Sequence, residues 1–276
     1  MKKTTWISQM FDTVKPVIAM VHFPALPGAP LYEVNKGMEP IVDHVKRDLE
    51  ALQQAGVDGL MFCNENDRPY QFTAQASTIS AMAYAIGRVR SEISIPYGVD
   101  ILWDPVSAVA LAHSVGACFV REVFTGLYES DMGLWQSRAA EALRFRAQLG
   151  EAESIRLLFN VSAEFASPFG RRSIAEIAQS VAFSSLPDGI CVSGPMTGIP
   201  VASSDLELVT KLLEGMPVFV NTGVRQDNVV KYLSVADGAI IGTALKYEGK
   251  TFNAVDAERA KQLMNTVKNL RLQLAT

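Results

Sequence analysis

Pro217–Leu245 reads PVFVNTGVRQDNVVKYLSVADGAIIGTAL, and its pattern decides the fold. A short apolar, β-branched run (PVFV) meets a small glycine-containing turn. Gln226–Leu233 follows with helical spacing, and a second apolar run (DGAII) ends in another glycine. Working outward, the same unit recurs. Further apolar runs lie at Val17–Val21, Val57–Cys63, Ile95–Leu102, Ala117–Val123, Ile155–Val161 and Asp188–Val192. Near-continuous hydrophobicity suits strands buried on both faces, as in a parallel sheet.

The intervening segments carry apolar residues at three-to-four spacing, as Ile41, Val45, Leu49 and Leu52 do within Glu39–Ala55. Ala74–Arg90, Pro105–Ser114, Leu134–Leu149, Ser173–Phe183, Ser204–Leu213 and Asp256–Leu274 read alike. Asp104-Pro105 and Ser203-Ser204-Asp205 mark helix starts, and Gly56, Gly116 and Gly150 mark stops. Eight strands alternating with eight helices predict an α/β protein, a single (β/α)8 barrel domain over residues 1–276. Residues 5–13 are expected to form a short helix capping its bottom. An open doubly wound sheet would want a glycine fingerprint after the first strand, where this chain has His22-Phe23-Pro24.

Composition narrows the function. The 25 basic and 29 acidic residues give a net charge of −4, without the basic stripe of a nucleic-acid binder. No apolar stretch is long enough to span a membrane, and no signal peptide is visible. Cys63, Cys118 and Cys191 lie far apart in apolar runs and read as buried thiols of a cytoplasmic protein.

Barrel sites form at the C-terminal ends of strands. Those positions hold His22; Asn64 and Glu65; Asp100 and Asp104; Arg121 and Glu122; Asn160 and Glu164; Ser193 and Gly194; Asn221, Thr222 and Gly223; Gly242 and Thr243. The turns after the last two strands point to a phosphate anchor at Gly223, Gly242 and Thr243, with Ser193 and Gly194 beside it. Tight βα turns would explain the same glycines. Asn64, Asn160, Asn221 and Thr222 complete the expected substrate-binding set.

His22 is the acid–base candidate, because imidazole titrates near neutrality; a partly buried histidine bonded to a loop is the alternative. Glu65, Asp100 and Glu122 join it as candidate catalytic carboxylates. Such a cluster could hold Mg²⁺ or keep one protonated carboxyl. Asp104, before Pro105, reads better as a helix N-cap. Arg121 and Glu122 alternate face, so one of them points into the barrel. No HExxH, CxxC, GxSxG or GxxxxGK[ST] occurs, leaving zinc, hydrolase-triad and P-loop chemistry without support. Two loops, His22–Pro40 and Phe124–Met132, are candidate lids.

The segments VIAMVHFPALPGAP, GVDGLMFCNENDRPY, IPYGVDILWDP, FVREVFTGLYESDMG, ICVSGPMTG, VFVNTGV and ADGAIIGTALK together resemble the BtpA/SgcQ family, from about Val17 to about Lys246. The resemblance implies a TIM barrel similar to ribulose-phosphate-binding barrels. One branch of the family is associated with photosystem I biogenesis. The other, with NEND-PY, LWDP and FTG-Y-SD segments like those here, is associated with carbohydrate gene clusters.

The leading expectation is an isomerase, epimerase or lyase acting on a small phosphorylated sugar or related metabolite. A Schiff-base aldolase is disfavoured, because no lysine stands at a strand end. A non-catalytic assembly or regulatory factor and a nucleotide or base salvage enzyme are the alternatives. Helical outer faces suit a homo-oligomer.

Overall fold

The computed structural model describes residues 5–275. In chain order its elements are α1 (Thr5–Phe11), β1 (Val17–His22), α2 (Glu39–Ala55), β2 (Gly59–Cys63), α3 (Ala76–Val89), β3 (Tyr97–Asp100), α4 (Pro105–Val115) and β4 (Phe119–Glu122). Then follow β5 (Leu127–Ser130), β6 (Gly133–Gln136), α5 (Ala139–Gln148), β7 (Arg156–Asn160), β8 (Ala166–Pro168), α6 (Ile174–Ser184) and β9 (Gly189–Ser193). The last are α7 (Ser203–Leu212), β10 (Val218–Asn221), α8 (Val229–Val235), β11 (Gly238–Ile241) and α9 (Ala257–Ala275).

Eight strands close a parallel barrel in the order β1-β11-β10-β9-β7-β4-β3-β2. Pairing of Val17 with Ala239 and of Ile18 with Gly59 places β1 between β11 and β2, which rules out an open sheet. Helices α2 to α9 follow the barrel strands, one each. All eight expected strands are present, within two residues at either end.

The termination signals work as chemistry requires. Asp104 caps α4 by accepting the Ser107 N–H, and Gly56 and Gly116 end α2 and α4 in left-handed conformations. Helix α6 adds a Ser173–Glu176 capping box.

One expected helix divides. The spacing of Leu134–Leu149 predicts a single helix, yet Gly133–Gln136 is strand, hairpinned to β5, which also pairs with β8 in a second, three-stranded sheet. Trp135 decides this locally: a strand buries it against Trp103, with ring centroids 5.0 Å apart, while Leu134 stays exposed. The candidate lid Phe124–Met132 therefore contains a strand. The other candidate lid turns away from the mouth, burying Phe23 and Leu26 in the core.

Two apolar compartments hold the barrel. Outward-facing side chains such as Val99, Val120, Phe159 and Val220 pack under the helices. Inward-facing Ile18, Met61, Phe119, Leu158, Phe219 and Ile240 fill the lower lumen, where α1 adds Ile7 and Phe11 as a plug. Each such buried side chain contributes roughly 1.5–3 kcal/mol. The Trp6 ring stacks on Phe219 at 6.3 Å, and its indole N–H donates to the Asp188 carbonyl at 3.1 Å.

Candidate active site at the barrel mouth

Two residues beyond the apolar layer, the same strands turn polar. Phe119 is succeeded on the inner face by Arg121, Leu158 by Asn160, Cys191 by Ser193 and Phe219 by Asn221. His22 and Asp100 close the ring from β1 and β3. Above them opens a cavity of about 190 Å³, lined among others by His22, Glu65, Arg121, Glu122, Asn160 and Asn221.

Arg121 organises the centre. Its guanidinium bridges the Asp100 carboxylate at 2.9 Å and the Glu164 carboxylate at 2.8 Å. It faces the interior, while Glu122, at the strand end, borders the cavity with its carboxylate tied to backbone. Glu122 accepts the backbone N–H of Trp103 at 2.7 Å and of Val123 at 2.8 Å. Burial pushes its carboxyl up to about 8, with Asp100 adding to the rise, against the pull of Arg121 and those two N–H groups.

Glu65 is placed differently. It reaches the cavity with no cation bonded to it, within 3.2 Å of the Thr197 hydroxyl, which also lies 2.9 Å from Glu164. Burial, then the charges of Glu164 and Asp100, push Glu65 up to about 7.

His22 was expected to titrate near neutrality. Burial, and then the nearby Lys246 charge, push it down to about 3, so the ring is neutral at physiological pH. Its Nδ1 faces the Thr251 carbonyl at 3.4 Å, which directs the ring hydrogen there and leaves Nε2 as acceptor. The fully buried Lys246 is committed to Asp48 at 2.6 Å and does not line the cavity.

Of the other candidates, Asn64 accepts the Leu102 N–H at 2.9 Å and ties the ends of β2 and β3 together, outside the cavity lining. Asp100 is fully buried behind Arg121. Asp104 serves α4, the Ala74 N–H and Arg138. Asn221 donates to Ser193 at 2.9 Å and to Asn160 at 3.3 Å, while the Asn160 Nδ2 group is buried without a partner.

The glycine-rich side is partly occupied by the chain itself. The Ile199–Pro200 backbone lies where Cβ atoms on Gly194 and Gly223 would stand, so both glycines admit this loop. The Thr222 hydroxyl accepts the Gly194 N–H at 2.8 Å and donates to the Ile199 carbonyl at 3.1 Å. Gly242 sits against the His22 ring, and Thr243 bonds Thr251 at 2.8 Å.

Several lining residues lay outside the expected set because they come from loops. Arg225 and Arg259 supply positive charge beside Gly223 and Gly242, and Tyr70 and Phe165 supply an aromatic wall, 6.4 Å between centroids. Glu164 was visible only as one polar residue past a strand, and Thr197 carried no sequence signal. Backbone strain marks the same place. Trp103, Phe165 and Thr222, all lining the cavity, have φ of 69°, 57° and 62°. Bulky and β-branched residues rarely adopt this region, although Leu186, away from the cavity, does so too with φ of 51°.

No group of three or more His, Cys, Asp or Glu side chains among the described residues is arranged to hold a metal ion. Asp100 and Glu122, two of the carboxylates considered for Mg²⁺, are engaged by Arg121 and by backbone N–H groups respectively.

The BtpA family model matches residues 13–269. The chain belongs to the BtpA family. It is 42% identical to the sgc region protein SgcQ of Escherichia coli K12, over 97% of this chain and 99% of that one. It is 32% identical to the photosystem I biogenesis protein BtpA of Synechocystis, over 94% and 90%. Among solved structures, this BtpA-family barrel is similar to phosphoribosyl anthranilate isomerase from Thermus thermophilus (TM-score 0.57, 10% identity, 93% and 100% covered). It is also similar to thiamine phosphate pyrophosphorylase from Pyrococcus furiosus (TM-score 0.55, 13% identity, 93% and 96% covered). Identities this low establish a shared barrel and nothing about substrate. No helix among the described residues is long and apolar enough to cross a membrane.

Proposed function

We propose that this chain is a cytoplasmic enzyme that moves a proton beside a carbonyl or hydroxyl carbon of a small phosphorylated sugar or related metabolite. Isomerisation, epimerisation and lyase chemistry all use that step. The observation that carries the reading is Glu65: a buried carboxyl in the mouth, pushed up to about 7, with Arg225 and Arg259 lining the same cavity. An acid–base group is most effective when it changes protonation near the working pH.

In this reading Arg225 and Arg259 hold the phosphate, since guanidinium forks match its oxygens. The unpartnered Asn160 Nδ2 donates to a substrate oxygen, and His22 Nε2 accepts a substrate hydroxyl hydrogen. Glu65, as carboxylate, takes a proton from the carbon beside the carbonyl and returns it to the neighbouring carbon or oxygen. Tyr70 and Phe165 cover the carbon skeleton and exclude water.

The direct test is exchange of carbon-bound hydrogen in D₂O across a panel of aldose and ketose phosphates, followed by NMR. Deuterium uptake into one of them, lost in Glu65→Gln, supports the reading. Absence of exchange and of turnover over the whole panel refutes it.

A second reading rests on Phe183, Leu186 and Phe169, exposed apolar side chains at 90%, 70% and 69%. They suit an oligomer or assembly contact, in line with the biogenesis role named for the Synechocystis relative.

A further inference from the structure

A single hydroxyl hydrogen stands between two carboxyl groups at the centre of the mouth. Thr197 Oγ1 lies 2.9 Å from Glu164 Oε2 and 3.2 Å from Glu65 Oε1, and it can donate to one of them only. Glu164 is bound to the Arg121 guanidinium at 2.8 Å and is therefore the ionised partner. The hydroxyl hydrogen goes to Glu164, and a lone pair of Oγ1 then faces Glu65. That contact is a hydrogen bond only if Glu65 carries a proton.

The hydroxyl does not wander. Thr197 belongs to the 194–200 loop, whose Ile199–Pro200 backbone rests on Gly194 and Gly223. The Phe165 N–H donates to the Pro195 carbonyl at 3.1 Å, the Ile199 N–H to the Met196 carbonyl at 3.0 Å, and Thr222 to Ile199. The Tyr232 hydroxyl holds the Val201 carbonyl at 2.7 Å, just beyond the loop. This is a fixed strap rather than a loose loop.

We propose that Thr197 is a positioning residue: its hydroxyl donates to Glu164, accepts from a neutral Glu65, and thereby stabilises the protonated state that Glu65 reaches on taking the substrate's proton. The inference rests on the role proposed for Glu65 and deepens it, by naming what sets its protonation. The groups facing Glu65 agree with a neutral carboxyl. Burial and the charges of Glu164 beyond β7 and Asp100 on β3 favour it. It is opposed by Arg121 of β4, the one cation among them, and by the Cys63 thiol of β2, which donates to Glu65 Oε2 at 3.9 Å. The Tyr70 hydroxyl is spent on the Glu65 backbone carbonyl at 3.0 Å. Arg121 is shared between two other carboxylates and bonds neither oxygen of Glu65.

The experiment follows the Glu65 side-chain carboxyl by ¹³C NMR during a pH titration of the full chain without substrate, with Glu65→Gln for assignment. The wild-type midpoint is expected at about 7. Thr197→Val removes the acceptor that favours the neutral acid, so the midpoint falls by about one pH unit, the worth of one hydrogen bond. Thr197→Ser keeps the wild-type midpoint. Glu164→Gln frees the hydroxyl to turn towards Glu65 and removes a neighbouring charge, so the midpoint falls further.

An unchanged or raised midpoint in Thr197→Val overturns the proposal, since the hydroxyl would then be idle or donating to Glu65. Should the valine variant not fold, Thr197→Ala, which also removes the hydroxyl, takes its place, and an unchanged or raised midpoint there is the overturning result. Because no substrate is present, failure here is distinct from failure of the enzyme reading, which the exchange experiment tests.

Discussion

The barrel has two floors built by the same strands. On the lower floor Met61, Phe119, Leu158 and Phe219 meet the Ile7 and Phe11 plug, and among the described residues no carboxylate, histidine, lysine or arginine belongs to that cluster. Two residues further along, the inner face holds Asp100, Arg121, Asn160 and Asn221. The lower floor needs only volume and apolarity, and its stability follows from area removed from water. The upper floor carries buried charges, an unpartnered Asn160 amide and strained backbone at Trp103, Phe165 and Thr222. Folding alone would not select such an arrangement, because buried ion pairs rarely improve on apolar packing. The polar floor is where the proposed chemistry is placed.

The sharpest break in this comparison pairs Phe119→Ala with Arg121→Met. Each is expected to cost about 3–5 kcal/mol, one through a cavity and one through stranded carboxylates. Urea unfolding at two pH values separates them. The Phe119→Ala loss is the same at pH 8 and pH 5, whereas the Arg121→Met loss shrinks at pH 5 as Asp100, whose carboxyl burial already pushes up, takes up a proton.

Glu65→Gln comes next. Its folded value of about 7 lies above the ordinary carboxyl value of 4.5, so the native state holds a proton that the unfolded chain releases. Stability is then full below 4.5 and is lost as pH rises through about 7. Removing the carboxyl makes the protein more stable above pH 7 by on the order of 3 kcal/mol and leaves it unchanged below 4.5. In turnover Glu65 starts as the carboxylate, so kcat/KM is expected to rise as pH passes through about 7, and that limb is lost in Glu65→Gln.

The smallest effect belongs to the bottom. Trp6→Phe keeps the stacking on Phe219 but removes the indole N–H bond to Asp188, costing about 1 kcal/mol. Thermal unfolding shows that loss, and ligand affinity at the far end of the barrel stays as it was.

The two floors also differ in how legible they were. The barrel was readable because strands buried on both faces leave continuous apolar runs, and DGAII or VIAMV can hardly be anything else. Helix ends at Asp104, Gly56 and Gly116 were readable because capping is local chemistry. Gly133–Gln136 escaped, since a four-residue strand at the head of a helical pattern is identified only by what Trp135 packs against.

In the site, the inward positions His22, Asp100, Arg121, Asn160 and Asn221 follow from strand ends. Their states do not. His22 loses its neutral-range titration to burial and to Lys246, 224 positions away in sequence, and Glu65 acquires it from burial and then from the charges of Glu164 and Asp100. Thr197, Arg225 and Arg259 come from loops, whose convergence no local pattern encodes.

The central claim is that the upper floor receives a phosphorylated metabolite. The most direct measurement is thermal unfolding against matched pairs of phosphorylated and unphosphorylated sugars, for the wild type and for Arg225→Ala/Arg259→Ala. A ligand at about 100 times its Kd adds about 2.7 kcal/mol. The account predicts stabilisation by phosphorylated members alone, abolished in the double variant. Equal stabilisation by both members of a pair, or stabilisation that survives loss of both arginines, would contradict it.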